Sequence, residues 1–227
     1  MITAEDLKGP FVAIPAKSED QAKLDHLGYA SASEMFAERF HMDEKLLKAL
    51  NPEADFTAPG TTLVVAAPGA GKLDAAVTRI EVDKSERVVR AYGDGGVLLA
   101  VYPASVGSAD RPAPSGQWAV RTVAPNPTWI YDPKRLTFGE GEKTGKFTIA
   151  AGPNNPVGTM WIDLTKDTYG IHGGPDPNHI GKTDSHGCVR LTNWDANELG
   201  AAVKTGAVVV FSGSETRAGK SATRSTS

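Results

Sequence analysis

Two periodicities divide the chain. Between Ser31 and Pro52 apolar residues recur at helical spacing, first Met35, Phe36 and Phe40, then Leu46, Leu47 and Leu50. Ser31 with Glu34 three residues later forms a capping box that opens the first helix. Asp43 has the position of a second N-cap, and Asn51-Pro52 stops the second helix. Pro59-Gly60 then predicts a turn and Thr61–Val65 a strand. Two short helices and one strand bury little alone, so residues 1–70 should form a small module that leans on something else.

Pro68-Gly69-Ala70-Gly71 reads as a short linker. Beyond it the pattern changes to strands. Val77–Val82 and Arg87–Tyr92 flank the polar turn Asp83–Glu86, and Asp94-Gly95-Gly96 turns into the apolar run Val97–Tyr102. This is the pattern of a β-meander whose third strand should be the most buried. Gly116–Val123, Phe147–Ala150, Met160–Leu164 and Val208–Phe211 are further strands. One more helix is predicted, capped by Thr192 or Asn193, with Leu199 and Val203 facing inward and Gly206 ending it. The fold class expected is therefore mainly β, a β-sandwich or barrel-like domain over residues 76–211, with a small α+β module before it. Residues 212–227 are Ser, Thr, Gly and charge, and predict a disordered tail.

Composition sharpens this in three places. Among 227 residues, 24 Gly and 15 Pro favour a turn-rich β protein. A net charge of -3 offers no basic stripe for nucleic acid. No apolar run reaches the ~18 residues of a membrane-spanning helix. The first residues lack the basic and apolar regions of a signal peptide.

The one cysteine, Cys188, cannot form an intramolecular disulfide. It is either a buried small hydrophobe or a reactive thiol. Its surroundings hold the chemistry: Tyr169-Gly170-Ile171-His172-Gly173-Gly174, and then Thr183-Asp184-Ser185-His186-Gly187-Cys188-Val189-Arg190-Leu191. A thiol becomes a nucleophile when a nearby His or Arg takes its proton or lowers its pKa. His172 and His186 are both candidates, and spacing alone does not choose between them. A zinc site built from these histidines, Cys188, Asp176 and Asp184 is an alternative, although the spacing matches none of the common ligand patterns. His26, His41 and His179 lie outside this cluster and read as surface, packing or rim residues.

Ser185-His186-Gly187-Cys188-Val189-Arg190-Leu191, with His172 sixteen residues before the cysteine, resembles the catalytic motif of the YkuD family of L,D-transpeptidases. Further segments carry the resemblance: Tyr102–Gly107, Ala113-Pro114-Ser115-Gly116, Asn126-Pro127-Thr128-Trp129, Pro153–Gly158 and Trp161-Ile162. Ala113 departs from the family's usual Thr. Separately, Tyr29–Val65 resembles a LysM module, a binder of cell-wall glycan, through Ala37–Phe40, Leu46–Pro52 and Pro59–Leu63. The usual first strand of that module is missing.

The resemblance implies roles that the residues alone do not. Cys188 would be the nucleophile and His172 the general base, its ring oriented by the Gly173 carbonyl. Backbone N–H groups around His186, Gly187 and Cys188 would form an oxyanion hole. Arg190 would position substrate or stabilise the site. Ser185, Tyr169, Gly174 and Asn193 would contact substrate. The donor would be a peptidoglycan tetrapeptide stem, the acceptor the side-chain amine of another stem, and the product a 3-3 crosslink serving cell-wall organisation and cell shape. Carbapenems would acylate the same thiol, and neither a metal nor an organic cofactor would be needed. Two alternatives stand beside this: an L,D-carboxypeptidase or endopeptidase on the same site, and a non-catalytic peptidoglycan-binding protein. Such a substrate implies export to a periplasm or cell wall, with the signal segment absent from this chain.

Overall fold

The structure, a computed structural model, describes residues 1–108, 111–133, 145–185 and 187–214. The N-terminal part contains α1 (Ser18–Gln21), α2 (Ala32–Arg39) and α3 (Glu44–Leu50). The predicted caps hold: Ser31 accepts from the Glu34 N–H and Asp43 from the Leu46 N–H. The Glu34 carboxylate reaches back to the Ala30 N–H, closing the capping box one residue early. Phe36, Ala37, Met42, Leu47 and Ile2 form a small core of their own, with Phe11, Phe56, Leu63 and Val65 packed on it. The strand expected at Thr61–Val65 does not form. Its backbone is satisfied otherwise: the Asn51 side chain accepts from the Val64 N–H and donates to the Val64 carbonyl, and Thr61 pairs with Ile2. A side-chain amide thus replaces the neighbouring strand.

Among the described residues ten strands follow: β1 (Val77–Asp83), β2 (Val88–Tyr92), β3 (Leu98–Pro103), β4 (Gly116–Pro125), β5 (Trp129–Tyr131), β6 (Phe147–Ile149), β7 (Met160–Leu164), β8 (Gly170–His172), β9 (Val189–Arg190) and β10 (Val203–Ser212). Eight of them make one sheet in the order β3-β2-β1-β10-β4-β7-β8-β9, and β5 pairs with β6 as a separate hairpin. The long strand β4 pairs with β10 through its first half and with β7 through its second. The two ends of the sheet meet. Past β3, Ser105 exchanges backbone hydrogen bonds of 2.9 and 2.8 Å with Arg190 of β9, and the Ser185 N–H donates to Val106 at 2.7 Å. The sheet therefore curls toward a barrel, as expected, with one core formed by residues such as Ile80, Val82, Ile162, Leu164, Ile171 and Val209. Helix α4 (Asn193–Ala202), capped by Thr192, packs on β7 through the buried Ala196 and Leu199.

Three expectations are corrected. β3 is not the most buried strand; Leu98 and Val101 are 51% and 49% exposed, because β3 lies at the sheet edge and its ladder is with β2 alone. α4 ends at Ala202, before Val203 and Gly206. Val203 already pairs with Val77, and Gly206, at φ 87°, sits in the bulge between that pair and Val208↔Arg79. Ser212 belongs to β10 and accepts from the Lys84 N–H, so the tail does not begin there. The remainder of the expected tail, residues 215–227, lies outside the described residues.

The N-terminal part docks firmly on the β domain. Leu27 donates to the Ala151 carbonyl and accepts from the Asn154 N–H, while Asn154 Nδ2 donates to Gly28 and to Glu34. Gly152, at φ 145°, lets these chains approach; a Cβ there would stand 2.1 Å from the Leu27 carbonyl oxygen. Gly152→Ala should therefore cost about 3 kcal/mol in urea denaturation, from backbone strain plus overpacking. An unchanged midpoint would contradict this docking.

Candidate active site

His172 ends β8, and Cys188 stands one residue before β9. The parallel pairing of β8 with β9, Ile171↔Val189 and His172↔Arg190, brings the two motif segments side by side. A cavity of about 280 Å³ opens here, and Cys188, His172, Arg190 and Ser185 all line it. The motif residues thus converge although the histidine and the cysteine are 16 positions apart in the chain.

The imidazole is held on two sides. Its Nδ1 lies 2.5 Å from the Gly173 carbonyl oxygen. A carbonyl only accepts, so Nδ1 carries the proton and Nε2 is left as the acceptor. The Trp161 ring stacks on His172 at 5.4 Å and 24°, from the cross-strand position Trp161↔His172. Burial pushes the His172 pKa down to about 3, and the Arg190 charge pushes the same way against the Gly173 hydrogen bond. Burial also pushes the Cys188 thiol up, opposed by the Gly170 N–H and by Arg190. Both shifts favour the uncharged forms, a thiol and an imidazole, over a thiolate and an imidazolium.

The turn that carries Cys188 is tied by Ser185. The Ser185 hydroxyl donates to the Cys188 carbonyl and accepts from the Gly187 N–H. Gly187 has φ 117°, and a Cβ there would come within 3.1 Å of the Tyr169 ring. The Cys188 Sγ lies 3.8 Å from the Thr168 carbonyl, and Thr168 itself has φ 67°, an uncommon conformation for a β-branched residue. Behind the turn, Arg87 pairs with Asp184 at 2.5 Å and fixes the incoming loop to the start of β2.

Arg190 points along the cavity wall. Its buried Nε has no hydrogen-bond partner among the described residues. Burial pushes its pKa down, while Asp176 and Cys188 favour its charge. Gly174 supports its stem, since a Cβ at that position would lie 3.1 Å from Arg190 Cδ.

The expected substrate contacts fare unevenly. Ser185 lines the cavity, yet its hydroxyl is spent on the turn. Tyr169, Gly174 and Asn193 stand behind the wall. Asn193 is 2% exposed, and its amide is committed to Thr159, Pro153 and Glu38, so it does not reach the cavity. His186 lies outside the described residues. Sequence reasoning missed Trp129, Pro156, Val157, Thr168 and Trp161, which complete the wall, and Ser18, which reaches it from α1. Both tryptophans follow Pro- and Gly-rich turns and are two of only four in the chain, which is a usable signal; Ser18 carries none. Among the described residues, no group of three His, Cys, Asp or Glu is placed to hold a metal ion. Nor is any helix among them long and apolar enough to cross a membrane.

Residues 77–211, more than half of the chain, match the YkuD family model, described as the L,D-transpeptidase catalytic domain. A relative from Bacillus licheniformis, carrying the name L,D-transpeptidase YkuD, is 29% identical over 76% of this chain and 88% of its own length. The probable L,D-transpeptidase ErfK/SrfK of Salmonella typhimurium is 34% identical over 73% of this chain, which spans only 54% of that protein. Among solved structures, L,D-transpeptidase 3 of Mycobacterium tuberculosis, in complex with a faropenem-derived adduct, aligns over 60% of each chain at 18% identity with a TM-score of 0.49.

Proposed function

This chain belongs to the YkuD family of L,D-transpeptidases, and on that premise we propose that it is a cysteine acyltransferase that forms 3-3 crosslinks between peptidoglycan stems through a thioester on Cys188. The observation that carries the reading is one cavity holding the single thiol, an imidazole with its Nδ1 pinned to Gly173, and an arginine whose buried Nε has no hydrogen-bond partner among the described residues.

His172 Nε2 takes the thiol proton as Sγ attacks the carbonyl of the bond before the terminal D-Ala of a tetrapeptide stem. The Cys188 N–H stabilises the developing oxyanion. The Gly187 N–H joins it when it leaves the Ser185 hydroxyl, each donor being worth about 3 kcal/mol in comparable sites. His172 then gives its proton to the departing D-Ala amine. The side-chain amine of a second stem attacks the thioester, His172 accepts a proton from it, and Sγ leaves and takes that proton back from His172. Arg190 presents its free donors to the substrate. Trp129 and Trp161 supply apolar walls. Water in place of the amine would make the same site a carboxypeptidase. Incubation with disaccharide-tetrapeptide separates the two: crosslinked dimer is expected, and tripeptide alone would overturn the transferase reading.

The neutral resting pair has its own test. Alkylation of Cys188 by iodoacetamide should be slow at pH 7 and keep rising with pH beyond the ordinary thiol range of about 8.5. A rate already on a plateau from about pH 6 would instead indicate a preformed thiolate–imidazolium pair.

A stem-peptide substrate lies outside the cytoplasmic membrane, which supports a site of action in the periplasm or cell wall. The glycan contact expected of the LysM-like residues has one support, a cavity of about 310 Å³ that Tyr29 and Arg39 of that stretch line together with Phe11, His26 and Asp6 from before it. Aromatic faces beside charged donors and acceptors suit a sugar. Retention of the Tyr29→Ala variant on insoluble peptidoglycan at the wild-type level would remove that contact.

A further inference from the structure

We propose that Glu38 is a positioning residue for the reaction, acting from the N-terminal module through Asn193 on the carbonyl that holds the His172 ring. The proposal rests on His172 being the base, as inferred above.

Asn193 is the connecting part. It is the first residue of α4, and its side-chain amide is fully engaged. Oδ1 accepts from the Thr159 N–H at 3.2 Å, and Nδ2 donates at 3.0 Å both to the Pro153 carbonyl and to Glu38 Oε1. The amide presses against two glycines. A Cβ on Gly173 would lie 2.4 Å from Asn193 Oδ1, and one on Gly158 would lie 2.1 Å from it. Gly173 is the residue whose carbonyl accepts from His172 Nδ1. Glu38, on α2, is therefore linked to the imidazole through one amide and one peptide unit. A second grip lies on the same turn of α4, where His41 stacks on Trp194 at 5.2 Å.

A carboxylate in this position is chemically sensitive. Burial raises the Glu38 pKa to about 7, with Glu34 adding to the rise and the Asn193 N–H opposing it. Glu34 shares its helix, Tyr29 approaches from the preceding loop, and Glu44 and Asp176 line the same small cavity of about 150 Å³. None of these four can supply a positive charge. The sign follows directly. A carboxyl whose folded pKa is raised holds its proton in the docked state after an exposed one has lost it, so docking weakens as pH rises from about 4.5 to 7 and levels off above.

The test uses the full chain and meropenem, with the maximal acylation rate and the half-saturating concentration measured separately between about pH 5.5 and 8.5. Glu38→Ala should lower the maximal rate about tenfold at pH 6 while the half-saturating concentration stays within about twofold, since misplacement of a catalytic group costs rate more than binding. Glu38→Gln keeps the acceptor oxygen and cannot ionise. It should match the wild type at pH 6, and the ratio of wild-type to variant rate should fall as pH passes about 7. A wild-type rate in Glu38→Ala, or a rate ratio for Glu38→Gln that does not change with pH, overturns the proposal. If Glu38→Ala fails to fold, the Glu38→Gln ratio decides alone. His172→Ala run in parallel separates the two levels: a slow His172→Ala beside an unaffected Glu38→Ala overturns only the positioning role, whereas a wild-type rate in His172→Ala overturns the assignment of the base.

Discussion

Cys188→Ala is expected to abolish covalent acylation by a carbapenem and to leave the fold intact. Cys188 is the single cysteine of the chain, so no second thiol can substitute for it. Loss of its sulfur costs little structurally. Its polar contacts are weak ones, the long 3.8 Å approach to the Thr168 carbonyl and the Gly170 N–H, and the turn around it is tied by Ser185 through backbone groups that alanine retains. The thermal midpoint should shift by no more than a few degrees, as for a change of about 1 kcal/mol. A mass increment after meropenem treatment of a folded Cys188→Ala protein would move the nucleophile elsewhere.

His172→Ala carries the second large effect. With thiol and imidazole both favoured in their neutral forms, the proton must leave sulfur as the bond to carbon forms, and Nε2 is the ring nitrogen left free to accept it. Removing a general base of this kind costs about 10²–10⁴-fold in rate. The pH dependence adds a signature. Without the imidazole only the ionised fraction of the thiol reacts, and burial holds that fraction small, so the residual rate of His172→Ala should climb with pH through the alkaline range. Because His172 is buried and packed against Trp161, alanine also opens a void, and His172→Gln controls for it by filling most of the volume. Near-wild-type acylation in both variants would return the base role to His186.

Much of this site was legible in the sequence because its parts are local. The turn from Ser185 to Arg190 is continuous in the chain, and His172 sits in a second short motif. What sequence could not supply was how the two segments pair. β8 and β9 are three and two residues long, too short for any periodicity, and their register comes from burial against the rest of the sheet. The closure of that sheet was equally hidden, since it rests on backbone bonds from Ser105 and Val106, which belong to no strand. The end of α4 was misplaced because Gly206 reads as a helix terminator in isolation, yet the valines around it pair with β1.

The N-terminal module shows the opposite balance. Its helix caps were readable residue by residue, while its missing strand was not, because a side chain from Asn51 satisfies the backbone that a second strand would have used. Asn193 shows why residue type alone misleads about role. A polar residue next to a catalytic motif suggests substrate, but this one is buried and joins α2 to the glycine that holds His172. The same burial that removes it from the cavity seats it between the module and that glycine.

The central claim is a thioester between Cys188 and the donor stem, and it is open to direct measurement. Wild-type protein mixed with disaccharide-tetrapeptide, quenched in acid at early times and digested, should yield the Cys188 peptide heavier by the donor less its terminal D-Ala, an adduct released by hydroxylamine. Turnover of the tetrapeptide with the Cys188 peptide unmodified at every time of quenching, or an adduct on any other residue, would contradict the account.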